Sequence, residues 1–261
     1  MDRIAVVSFD EPEFEPSYGG TDAEGASIFA WLFFTGRCRL SPTALRLLNH
    51  NIFKGSLRLG AALYYSALSL VAPKENIFEF LRREEVPATF FAIFELLDDP
   101  DSCDLYLPLF RRILADGHEL ALHGYRHGPL TEDDLRKSLA LALERLGATL
   151  TTYSSPFGDD RVETLRLLEA HRFLGMRVWD RSFLNRDSPV QRIAYDYSLS
   201  GLTSRDDPVV VLNLHSRDFY PWGFSKVKRA IRSLRRRGYR FTTFRTLCKS
   251  LETGVEAGSP G

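Results

Sequence analysis

Seven short segments of the chain are apolar almost throughout: "RIAVVSF", "PATFFAIF", "HELALH", "ATLTTY", "FLGMRVW", "VVVLNLH" and "RFTTF". Runs of this length without strict polar alternation are the pattern of strands buried on both faces. Helical patterns lie between most of them. "NIFEFLRREE" precedes the second run and "LYLPLFRRILADG" follows it. "TEDDLRKSLALALERLG" opens with a capping-box pattern, Thr131 with Asp134, and carries Leu135, Leu139, Leu143 and Leu146 at helical spacing before Gly147. "SKVKRAIRSLRRRG" repeats the design, with Ser225 as cap, Val227, Ala230, Ile231 and Leu234 inward, and Gly238 after the end. Strands alternating with helices predict an α/β fold with a parallel sheet, closed or nearly closed into a barrel.

The stretch from about Gly19 to Lys74 breaks this rhythm. It is rich in aromatics and separates the first strand from its helix, so an inserted helical pair is expected rather than a structureless loop. Residues 1–250 then form one domain, and 251–261 read as a disordered tail. Lys and Arg number 34, as do Asp and Glu, so no global charge argues for nucleic acid as a partner. Three widely spaced cysteines suit reduced thiols, and "MDRIAVVSFDE" reads as a first strand instead of a signal segment, so a cytoplasmic protein is expected. No stretch reaches the ~20 apolar residues of a membrane span.

In a parallel barrel the working residues gather at the C-terminal strand ends. Here those ends are consistently polar: Asp10 and Glu11 after the first strand, His123 and His127 at and beyond the third, "YSSPFGDD" after the fourth, Trp179 and Asp180 after the fifth, His215 after the sixth. Carboxylate and imidazole with an open position suit a borderline divalent metal, zinc by default. Gly124 argues against one helix carrying both imidazoles, but a one-turn bend still brings residues four apart to one side. An HxxxH pair alone is a weak signal, and the polar residues at the other strand ends strengthen it. His118, at a strand start on the opposite rim, reads as structural, and His50 and His171 as surface residues.

Taken in order, "VVSFDE", "VPATFF", "GHELALHGYRH", "SSPFG", "VVVLNLHS" and "RRGYRFTTFRTL" resemble the polysaccharide deacetylase family, carbohydrate esterase family 4 with its NodB-homology domain. The resemblance implies a distorted (β/α)7 barrel, here carrying the helical insertion expected after the first strand. It implies Asp10 as general base, His215 as general acid, and Glu11, His123 and His127 as ligands of a divalent metal. Pro156, Phe157 and Gly158 would line the site, with the Phe157 N–H near the developing oxyanion, and Trp179 would form a wall. Three departures stand out. Glu11 is one methylene longer than the family's Asp, so Glu13 could serve instead. Ser154 stands where the family commonly has the Arg that orients the base; Arg177 or Arg181 could take over, or both could be surface residues. The insertion directly follows the base, where it could form a lid or groove.

The implied activity is hydrolysis of an N-acyl group from an amino sugar or glycoconjugate. "SSPFGDDRVETLRLLEAHRFLGMRVWDRS" is also similar, more loosely, to the branch that deformylates undecaprenyl-linked aminoarabinose at the inner membrane face. The insertion's Trp31, Phe33, Phe34, Tyr64 and Tyr65 could then hold a lipid chain or touch the bilayer, although core packing is the commoner use of such residues. The basic run "KVKRAIRSLRRRG" could meet phosphates or simply face solvent. Two rival readings are a degenerate carbohydrate-binding barrel and a hydrolase of a cyclic, non-sugar amide.

Overall fold

The computed structural model describes residues 3–10, 76–158, 160–179, 181–185, 187–195, 207–214 and 224–252. The expected insertion, Glu11, Glu13, Asp180 and His215 lie outside the described residues.

Among the described residues eight strands form one all-parallel sheet: β1 (Arg3–Asp10), β2 (Ala88–Ala92), β3 (Glu119–Leu122), β4 (Thr152–Ser154), β5 (Gly175–Val178), β6 (Gln191–Ala194), β7 (Val209–Leu214) and β8 (Tyr239–Thr242). Their order is β6-β5-β4-β3-β2-β1-β7. β8 pairs with the first half of β1, through Arg3 to Val6, and β2 pairs with the second half, through Val7 to Asp10. The result is the nearly closed (β/α) barrel read from the sequence. All seven expected strands are present. The additional one, β6, is the short "QRIA", whose two polar residues hide its strand character.

Among the described residues six α-helices accompany the sheet: α1 (Ile77–Arg83), α2 (Pro100–Ala115), α3 (Glu132–Leu146), α4 (Val162–Ala170), α5 (Ser225–Arg236) and α6 (Phe244–Glu252). The last of these continues beyond residue 250, so 251 and 252 belong to the fold. Thr131 caps α3 as expected, accepting from the Asp134 N–H at 3.1 Å, and Gly147 closes it at φ 63°. The Leu stripe is only partly inward. Leu135 is fully buried, but Leu143 is 65% exposed, because Ser138 and Ala142 occupy the buried face instead. α5 buries Val227, Ala230, Ile231 and Leu234 as read, whereas its N-cap is Phe224 and Ser225 is already helical, without a side-chain cap.

Period-two alternation sorts the strands into two faces. Ala5, Val7 and Phe9 pack outward against the helices. Val6 joins Phe91, Ala121, Ile193, Tyr195 and Val211 in a second cluster inside the barrel, where Phe244, Leu247 and Cys248 of α6 plug the lower end. The interior is therefore layered along the strand direction. At the bottom Glu119 accepts hydrogen bonds from Thr89 Oγ1 (2.8 Å), Thr152 Oγ1 and the Arg245 N–H (2.8 Å) at the start of α6. The middle layer is apolar. Two residues further along the same faces come Ser8 and Asp10, His123, Ser154 and Asn213, all buried. A polar layer above an apolar one, at the C-terminal strand ends, is where a site belongs.

Candidate active site

Asp10 ends β1, level with Phe91 of β2, and is 6% exposed. A carboxylate so deeply buried needs partners. Arg177 of β5 supplies one: its Nη2 donates to Asp10 Oδ1 and, at 2.6 Å, to Ser154 Oγ. Its Nη1 donates to Ser8 Oγ at 2.8 Å and to Asn213 Oδ1 at 2.9 Å. The guanidinium lies between the rings of Phe91 and Tyr195, 4.5 and 4.6 Å from their centroids. Arg177 is registered against Ser154 on the neighbouring strand, which explains how it reaches both Ser154 Oγ and Asp10. Of the two candidate arginines, Arg177, 1% exposed, is the one whose guanidinium donates to Asp10, and Arg181 lies at an exposed position.

The "HGYRH" turn follows β3. The His123 N–H donates to Ala92 O at 2.8 Å, continuing the ladder by one residue, and its Nδ1 meets Ser154 O at 2.8 Å. A carbonyl accepts only, so Nδ1 carries the proton, and in the neutral ring this leaves the lone pair on Nε2, the arrangement that a metal-ligating histidine uses. Gly124, at φ 111°, lets the chain bend immediately; a Cβ there would stand 2.6 Å from Arg126 O. Tyr125 then anchors the turn. Its hydroxyl donates to Asp98 Oδ2 at 2.5 Å, and its carbonyl accepts from the Glu95 N–H at 2.8 Å. Burial, followed by the Asp98 hydrogen bond, pushes the Tyr125 hydroxyl up to about 12, so it remains a donor. The bend brings the His123 and His127 rings to 5.2 Å between centroids, the one-sided pair expected from the sequence.

The fourth strand leads into Pro156, Phe157 and Gly158. Pro156 is buried, while Phe157 adopts a left-handed backbone (φ 57°, ψ 9°) with a 65% exposed ring set edge-on to His127 at 4.3 Å. Gly158, at φ 66°, is closed to other residues because a Cβ would meet Trp179 Cβ at 2.8 Å. Trp179 is half exposed and rests against Tyr195 at 5.5 Å. Asp160 ties the two loops, accepting from the Trp179 N–H at 2.7 Å and from Ser155 Oγ at 3.2 Å. Two exposed aromatic rings thus stand in these loops, Phe157 beside His127 and Trp179 beside Gly158 and Tyr195.

Of the residues singled out in the sequence, the structure brings together Asp10, His123, His127, Pro156, Phe157, Gly158 and Trp179. Glu11 and His215 fall outside the described residues; Leu214, the residue before His215, pairs with Phe9, the residue before Asp10. Among the described residues no group of three metal-ligating side chains occurs. The histidine pair, with Nδ1 of His123 fixed by Ser154, fits two ligands of a borderline metal. His118 packs against Phe78 and Phe90, and His171 is partly exposed, with its Nε2 3.0 Å from Oε1 of the surface residue Glu132. Ser8, Asn213, Tyr125, Asp98 and Asp160 were not singled out from the sequence. Ser8 and Asn213 stand two positions before Asp10 and His215, a polar residue one strand period from a candidate catalytic one, and that spacing is the signal that finds them.

Residues 71–179 match the sequence model of the family described as polysaccharide deacetylase. No curated protein matches the chain. A Mycobacterium smegmatis protein described as a polysaccharide deacetylase has a similar structure, with 15% identity, 100% of this chain and 96% of its own covered, and a TM-score of 0.57. A Pseudomonas aeruginosa PAO1 protein described in the same terms gives 14% identity, 98% and 93% coverage and a TM-score of 0.58. BA3943 from Bacillus anthracis, described as a CE4 family pseudoenzyme, gives 16% identity over 66% of this chain and 59% of its own, with a TM-score of 0.50. Residues 71–179 thus carry the sequence pattern of the polysaccharide deacetylase family, on a barrel with the fold of its solved members.

Proposed function

We propose that the protein is a metal-dependent hydrolase that removes an N-acyl group, acetyl or formyl, from an amino sugar. The observation that carries this reading is the juxtaposition, at one barrel rim, of a buried and fully engaged Asp10 with two histidines presented on a rigid turn. His123 and His127, with Glu11 or Glu13, would hold the metal. When bound, a divalent ion, zinc by preference for such ligands, supplies Lewis-acid polarisation of the acyl oxygen. Asp10 accepts a proton from the water whose oxygen attacks the acyl carbon. The Phe157 N–H is assigned to the oxygen on which negative charge develops. His215 gives a proton to the nitrogen as the C–N bond breaks, and the products are a carboxylic acid and an amine. Phe157 and Trp179 hold the sugar ring between them.

The amino sugar is proposed to be lipid-linked or cytosolic, the two settings the resemblance allows. A binding barrel without turnover is the competing reading that the Bacillus anthracis neighbour keeps in view, and the Arg177 contacts argue against it, since they rebuild the support of the base that Ser154 lacks. The test is release of acetate or formate from a panel of N-acylated amino sugars, free, oligomeric and polyprenyl-linked, by zinc-reconstituted protein. Turnover abolished in Asp10→Asn supports the proposal. Binding without acid release in every arm overturns it.

A further inference from the structure

Among the described residues Asn213 is the one buried amide in the polar layer, 2% exposed, and it touches both Asp10 and Arg177. Its Nδ2 donates to Asp10 Oδ2 at 3.0 Å, and its Oδ1 accepts from Arg177 Nη1 at 2.9 Å. Arg177 Nη2 donates to the other carboxylate oxygen, Oδ1. The three side chains therefore close a ring: carboxylate, guanidinium, amide and back to carboxylate. The amide orientation in this ring is unambiguous, because a flip would set NH2 against guanidinium and carbonyl against carboxylate. Each carboxylate oxygen of Asp10 is held by a different donor, from β5 on one side and β7 on the other, so both the position and the plane of the group are fixed.

The surroundings hold Arg177 equally firmly. All four of its Nη–H groups have acceptors, with Ser8 and Ser154 taking the two that the ring does not use. Ser8 in turn spends its proton on Leu212 O at 2.7 Å, which leaves its lone pair for Arg177. Phe91 and Tyr195 cover the two faces of the guanidinium. A buried polar network in which each member orients the next is rigid only while it is complete.

We propose that Asn213 and Arg177 act as one positioning unit for Asp10, fixing the carboxylate in the orientation from which it takes a proton. This rests on the hydrolase reading above. Neither residue touches the acyl group. They act through Asp10, so their loss lowers kcat and leaves substrate binding and metal content in place. Because the ring opens when any member leaves, the two contributions are not independent.

The test uses the full zinc-reconstituted chain as wild type, Asp10→Asn, Asn213→Leu, Arg177→Lys and the double variant, with whichever panel sugar wild type turns over fastest. Asn213→Leu keeps the volume, and Arg177→Lys keeps the charge without the fork. The expected result is a kcat lower by about 100-fold in each single variant, with KM and zinc content within about twofold, and a double variant no worse than the weaker single. A second readout needs no turnover: guanidinium 15N NMR shows slowly exchanging Nη–H signals of Arg177 in wild type, lost in Asn213→Leu. Unchanged kcat in Asn213→Leu while Asp10→Asn is dead overturns this inference and leaves the hydrolase reading standing. Losses that multiply in the double variant, or Arg177 signals indifferent to Asn213, overturn it as well. No acid release by wild type overturns the hydrolase reading instead, and the NMR signals then decide whether the ring exists.

Discussion

Single residues at the rim are constrained by backbone before they are constrained by chemistry. Gly124 has both a positive φ and no room for a Cβ. Gly124→Ala is expected to cost about 1–3 kcal/mol through strain and the displaced turn. It should also weaken zinc binding, because the turn sets the His123–His127 spacing; calorimetric zinc titration beside a melting curve checks both. Gly175 is constrained differently, since its φ is ordinary and its Cβ would overlap Cys248 Sγ of the plug helix. Gly175→Ala should therefore destabilise by about 1–3 kcal/mol, read by urea unfolding, with zinc affinity unchanged because the overlap lies at the far end of the barrel. Asp10, His123 and Trp179 were legible in the sequence because they stand at strand ends. Arg177 was one of two candidates, and only the register of β5 against β4 separates it from Arg181. Asn213 was missed because one amide inside an apolar strand reads as noise until the neighbouring strands show what it faces.

At the scale of elements, the helices were legible where caps and apolar spacing agree. α3 has both, and its ends were placed correctly. Its inward face was legible in part: Leu135, Leu139 and Leu146 pack on the core while Leu143 does not, because Ser138, which hydrogen-bonds Asp134 O at 2.8 Å, and Ala142 fill the rest of the buried face and let the helix approach its neighbours closely. Leu135→Ala is accordingly expected to cost about 2–5 kcal/mol, whereas Leu143→Ala should stay within about 0.5 kcal/mol. Chemical denaturation of the two variants checks the contrast, and equal costs would mean that α3 is rotated from the position described. β6 was missed for the opposite reason: a four-residue edge strand with two polar members has no pattern strong enough to stand out.

Across the whole molecule the barrel has a chemical axis, with an apolar middle between a polar rim and a polar base. The base carries a pH signature. Burial holds the Glu119 carboxyl above its ordinary value of 4.5, against the pull of its hydrogen bonds from Thr152, Arg245 and Thr89. The folded protein then binds this proton more tightly than the unfolded chain does, so the stability it confers is complete below about pH 4.5 and is lost as pH rises through the higher folded value. Glu119→Gln should remove that part of the slope of stability against pH, measured by unfolding from pH 4 upward. A slope identical to wild type would show that Glu119 is ionised at the base throughout. The layered axis itself was only partly legible. Strand ends announced the rim, while the base depends on Thr89, Glu119 and Thr152 meeting from three strands, a coincidence that no local pattern encodes.

The central claim is that the turn from His123 to His127 presents metal ligands beside the Asp10 base. Elemental analysis of the purified, reconstituted protein tests it most directly, beside a His123→Ala, His127→Ala double variant. The account predicts close to one zinc or similar divalent ion per chain in wild type and none in the variant. No metal in wild type after reconstitution, or equal metal in the variant, would contradict it.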